Sequence, residues 1–146
     1  MYKVVTNNLR SLGLRKNPNT MNFKLNEWKH EPTPMKGSTD NGGIWCCEKL
    51  SSAKTLKKYF EKRYGTARVF ECEVGNILFQ NSYRTKTSKI KLIKEIIIMN
   101  EYEIQFTRTI TSTPEVIVMC GDSPTHAQNK LYGLLPTVFI TRTKKL

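Results

Sequence analysis

One stretch of this chain carries the signature of a bounded amphipathic helix, and it stands among runs that alternate like strands. In SSAKTLKKYFEKRYG, residues 51–65, Ala53, Leu56, Phe60 and Tyr64 recur at intervals of three and four. That spacing draws an apolar stripe along one side of a helix and leaves the lysines to the other. Ser51 or Ser52 offers a hydroxyl to the orphan amides of the first turn, and Gly65 stands where a left-handed residue ends a helix. Strand-like runs surround it: MYKVVT at the start, Ile44 to Cys47, 67–74, 88–98, 101–110, 115–120 and 137–143. One clear helix among many strands predicts an α+β fold with a largely antiparallel or mixed sheet. A length of 146 residues suits one domain, 1–146, with one core.

Between the first strand and Ile44 the chain turns polar and punctuated, with Pro18, Pro32, Pro34, Gly37, Gly42 and Gly43. This reads as a long loop with one short element around Met21 to Trp28, of the kind that carries function. It ends in GGIWCCEKL, where two glycines let chain or ligand approach closely before an aromatic and two cysteines. The tail segment 121–130 reads as a surface loop with a short helix after Pro124.

The formal charge is +12, and it is concentrated. Residues 1–48 hold 7 basic and 4 acidic side chains, 49–94 hold 12 and 3, and 95–146 hold 5 and 5. Lys54, Lys57, Lys58, Lys62 and Arg63 make the helix a candidate surface for an acidic partner, nucleic acid or protein. A solvated, lysine-rich face that aids solubility accounts for the same residues. No run approaches a membrane span and no secretory segment opens the chain, so a soluble cytoplasmic protein is expected, in the host cytoplasm if viral.

The cysteines are Cys46, Cys47, Cys72 and Cys120. None has C-x-x-C spacing, and His30 and His126 lie far off in sequence, so no metal site is expected. Neighbours on a strand point to opposite faces, so Cys46 and Cys47 are expected reduced, one buried and one facing a cleft or solvent.

The order of these motifs resembles the ADP-ribosyltransferase fold, and small phage and bacterial domains of related layout, over residues 1 to about 106. The elements are Tyr2-Lys3 on the first strand, Ile44-Trp45-Cys46-Cys47 before the helix, and Glu101-Tyr102-Glu103 opening a later strand. The resemblance implies a split β-sandwich gripping NAD. It places Tyr2, Lys3, Arg10, Trp45 and Cys46 at the cofactor, with Lys3 or Arg10 on the diphosphate and Trp45 beside the nicotinamide. It makes Glu103 the stabiliser of the cationic ribose, with Glu101 positioning the acceptor. Lys3 departs from the Arg or His usual in the family, and the cysteines replace a Ser-Thr-Ser-like strand; Lys gives a point charge where Arg gives a bidentate fork. The expected function is NAD-dependent ADP-ribosyl transfer to a macromolecule. The alternative is a non-catalytic basic module, such as a phage-type inhibitor, in which Tyr59, Tyr64, Phe70 and Tyr83 stack bases among the lysines.

Overall fold

The computed structural model describes residues 1–14, 19–109 and 111–146. The chain divides into two compact units, Met1–Ile97 and Ile98–Leu146, where the sequence suggests one domain. Each unit has its own buried apolar cluster.

The first unit runs β1 (Tyr2–Thr6), β2 (Trp28–His30), β3 (Ile44–Cys46), α1 (Leu50–Tyr64), β4 (Ala67–Val74), β5 (Ile77–Gln80), β6 (Thr85–Thr87) and β7 (Lys89–Glu95). These strands form two antiparallel sheets, in the orders β1-β4-β7-β2 and β3-β6-β5. Reciprocal backbone bonds of 2.8 Å between Tyr2 and Cys47 stitch the first strand to the end of β3. In β1 and β4 the pairs Lys3↔Phe70 and Val5↔Arg68 alternate with Val4↔Val69. Opposite residues share a face, so the ribbon has two buried sides. Val5, Phe70 and Cys72 join Phe23, Ile44, Cys46, Ile90 and Leu92 in a cluster that draws on both sheets. On the other side α1 packs against β1 and β4 with Ala53 and Phe60 buried.

The helix begins two or three residues earlier than its serines suggest. Lys49 is the N-cap and gives no side-chain hydrogen bond, and Ser51 and Ser52 lie inside the first turn, which corrects the expected serine cap. At its far end Gly65 has the expected positive φ, 114°, with an extended ψ of −158° in place of the left-handed helical one. The apolar stripe divides: Ala53 and Phe60 enter the core, whereas Leu56 is half-buried and Tyr64 exposed.

The second unit holds β8 (Asn100–Thr107), β9 (Glu115–Gly121), α2 (Pro124–Leu134) and β10 (Phe139–Lys145), with sheet order β10-β8-β9. Tyr102, Ile104 and Phe106 alternate into a cluster with Ala127, Leu131 and Val138. The expected helix after Pro124 is α2, capped by Ser123, whose hydroxyl accepts from the His126 amide at 3.1 Å. Ile110, the last residue of the expected strand 101–110, lies outside the described residues, as does the part of the long loop at Arg15 to Pro18. The architecture is thus α+β, built from antiparallel sheets and two helices.

Candidate ligand cleft

A cleft of about 350 Å³ opens in the first unit. That lies near the lower end of the range typical of small-molecule sites. Its floor is β1 and β3, with Lys3, Val4, Ile44, Trp45, Cys46 and Cys47. The loop after β1 gives one wall through Leu12, Leu14 and Met21, and α1 gives another through Leu56, Tyr59 and Tyr64. Arg84, just before β6, and Asp40 complete the lining.

The floor depends on a close approach of backbone to side chain. A Cβ at Gly43 would run into the Lys86 side chain, so only glycine fits there. Lys86 is fully buried between two threonines of β6. Its ammonium donates to the Gly37 carbonyl at 3.2 Å and the Thr39 carbonyl at 3.1 Å, satisfying the charge with loop oxygens. The loop that carries Asp40 is thereby tied to the strand that pairs with β3.

Trp45 carries the most evident recognition chemistry. Arg84 places its guanidinium carbon 4.1 Å from the ring centre, and Phe79 meets the ring edge-on at 6.0 Å. The buried Trp45 Nε1–H has no acceptor among the described residues, although buried indole donors ordinarily find one.

Lys3 is 6% exposed and donates from Nζ to the Trp45 carbonyl. Its ammonium lies 5.3 Å from the centre of the Phe23 ring. Burial pulls its pKa below the usual lysine range, against the weaker opposing pull of the Cys46, Cys72 and Cys47 thiols. All three thiols are buried and free. The Cys46 thiol is held down by its hydrogen bond with Cys72, and the Cys72 thiol is pushed up by the same contact. Burial pushes Cys47 up to about 11. The fourth, Cys120, is exposed on β9. Cys46 and Cys47 are both buried and both line the cleft, so burial and cleft-facing are not divided between them as expected. Cys46 sits on β3, but Cys47 pairs instead with Tyr2 on β1, so both edges of this dipeptide are covered.

The residues singled out from the sequence scatter across the chain. Lys3, Trp45 and Cys46 line the cleft; Tyr2 and Arg10 do not. Arg10 is exposed, pairs with Asn22 and donates to Thr20 Oγ1 at 3.3 Å. Glu101 and Glu103 belong to the second unit, on the face of β8 opposite Tyr102 and Ile104. In register Glu101 stands across from Cys120, and Glu103 across from Val118 and Lys144. On α1, Lys54, Lys58, Lys62 and Arg63 are exposed, while Lys57 is half-buried and ion-paired to Glu61. Arg63 lies over the Tyr59 ring at 4.7 Å and donates to its hydroxyl.

Nothing in the sequence marks Arg84 as a site residue, because it sits in a run of basic residues that looks like surface. Among the described residues no cluster of three or more His, Cys, Asp or Glu is disposed to hold a metal, and no helix is long and apolar enough to cross a membrane. Compared with known proteins, the chain matches no family model, no curated protein and no solved structure.

Proposed function

We propose that the first unit binds an anionic ligand bearing a planar ring, and that the ligand is NAD, used for ADP-ribosyl transfer. The observation that carries the reading is Trp45. Its ring is flanked by the Arg84 guanidinium, and its indole donor has no acceptor among the described residues. A planar ring against Trp45 leaves a phosphate for Arg84, a bidentate partner suited to it. This moves the diphosphate contact from Lys3 and Arg10, one buried against a carbonyl and the other outside the lining, to Arg84. The nicotinamide-side role of Trp45 and Cys46 comes from the resemblance and agrees with their place on the cleft floor. The split-sandwich form of the fold and the roles of Glu103 and Glu101 in transfer belong to the same reading. They come from the resemblance alone, for both carboxylates stand on β8 in the second unit.

The test is a titration with NAD, and with ADP-ribose in parallel, following thermal unfolding and nicotinamide release. Saturable stabilisation that Arg84→Gln and Trp45→Leu abolish is expected, since a ligand bound only by the folded state raises its stability. Release lost in Glu103→Gln supports transfer. An unfolding curve indifferent to both ligands refutes the binding reading, and binding without release refutes the enzymatic one.

The exposed basic face of α1 favours a second reading. Lys54, Lys58, Lys62 and Arg63 face outward beside Tyr59. Such a surface neutralises phosphates and stacks a base. Affinity for single-stranded nucleic acid that falls steeply with salt, and is lost on changing Lys54, Lys58 and Lys62 to Glu, is its expected signature. Salt-independent or absent binding removes it.

A further inference from the structure

The geometry points to Lys3 as an amine nucleophile that forms an imine with a carbonyl compound carrying a carboxylate, a 2-oxo acid or an aldehyde acid, in the cleft of the first unit. Three observations support it. The side chain is almost wholly buried and yet lines a ligand-sized cleft. The ionisable groups around it are the thiols of Cys46, Cys72 and Cys47, and otherwise it meets the Phe23 ring and the Trp45 carbonyl. Among the described residues no carboxylate acts on its charge, and burial lowers the cost of the neutral amine relative to an exposed lysine, the setting used for Schiff-base chemistry. Finally, Arg84 lines the same cleft and offers a fork for the carboxylate of such a substrate.

The chemistry balances without any redox partner. The Nζ lone pair attacks the carbonyl carbon, a C–N bond forms, and the carbonyl π pair moves to oxygen, which takes a proton. The carbinolamine then loses water, and the remaining N–H proton returns to solvent, leaving the imine. One N–H of the neutral amine is held by the Trp45 carbonyl. That fixes the nitrogen and leaves its lone pair free for attack. The inference uses the cleft proposed for NAD but not that ligand, so either can fail without the other.

Glyoxylate is the probe. Native protein is incubated with it at neutral pH, borohydride reduces any imine to a secondary amine, and peptide mass mapping counts the carboxymethyl group on every lysine and on the Met1 amine. Lys3 is expected to carry several times the label found on exposed Lys54, to lose that preference when the protein is unfolded in urea before labelling, and to lose it when Arg84 is replaced by Gln. Lys3→Met removes the site-specific adduct. If that variant does not fold, the comparison of native with urea-unfolded wild type decides alone. Labelling of Lys3 no greater than that of Lys54 in the native state overturns the inference. Preferential labelling of the Met1 amine instead also overturns it.

Discussion

The guanidinium carbon of Arg84 lies 4.1 Å from the centre of the Trp45 ring, and its Nη1 is ion-paired to Asp40 at 3.7 Å. A half-exposed cation over an aromatic face contributes about 0.5–1 kcal/mol. Arg84→Gln is therefore expected to leave the midpoint of urea unfolding nearly unchanged. Nucleotide affinity, read by Trp45 fluorescence quenching, is expected to fall by about 1.5–3 kcal/mol, the contribution of a hydrogen bond to a charged group. A large stability loss with intact affinity would place Arg84 in the scaffold instead.

Gly43 and Lys86 are packed too closely for any Cβ at residue 43. Lys86 has no room to withdraw, being fully buried and bonded to Gly37 and Thr39. Gly43→Ala should cost about 1–3 kcal/mol through overpacking. Chemical denaturation measures the cost, and hydrogen exchange should show faster opening of residues 37–43. A neutral substitution would mean that the loop shifts freely.

The four thiols should separate cleanly under alkylation. Cys120 is exposed, whereas Cys46, Cys47 and Cys72 are buried, and burial raises Cys47 to about 11. The thiolate is the reactive form. At pH 8 iodoacetamide should modify Cys120 within minutes and the other three only on unfolding, as intact-mass spectra of wild type and Cys120→Ser will show. Rapid modification of Cys47 in the native protein would contradict its burial.

Arg68 and Glu95 form a two-point ion pair across β4 and β7, with Nε to Oε1 at 2.9 Å and Nη2 to Oε2 at 2.5 Å. The Arg68 guanidinium holds the Glu95 carboxyl below its usual range through that hydrogen bond. A carboxylate with a depressed folded pKa stabilises above its unfolded pKa, near 4.3, and the contribution disappears as pH falls through the lower folded value. Both side chains are more than a third exposed, so solvent screening limits the effect to about 0.2–1 kcal/mol. The wild type should exceed Glu95→Gln by that amount at pH 7, and the difference should shrink steadily below pH 4 in urea titrations. A constant difference across that window would assign the effect to packing.

Several features are legible in the residues alone. Alternation predicts a strand over 67–74, and β4 occupies Ala67–Val74, because its β-branched and alternating residues need no distant partner to be recognised. The body of α1 follows from its three-and-four spacing, though not its N-cap, where Lys49 takes the position with its backbone alone. The strands β2, β5 and β6 leave no such mark. They are three or four residues long, too short for a period to emerge, and β2 and β6 pair far along the chain, with β7 and β3.

Charge is the property that sequence conveys least well. Thr85-Lys86-Thr87 looks like a polar turn, yet all three residues are fully buried, because the lysine finds its acceptors in a loop more than forty residues earlier. Lys3, which the resemblance puts on a diphosphate, is enclosed by Phe23, the Trp45 carbonyl and three thiols. The α+β class, the long strands, the helix and the excess of basic residues are each written in local spacing or composition, so they follow from the order of residues with no knowledge of packing. Which of those cations sit in solvent and which sit in the floor of a cleft follows from packing alone, because burial depends on what the rest of the chain brings alongside.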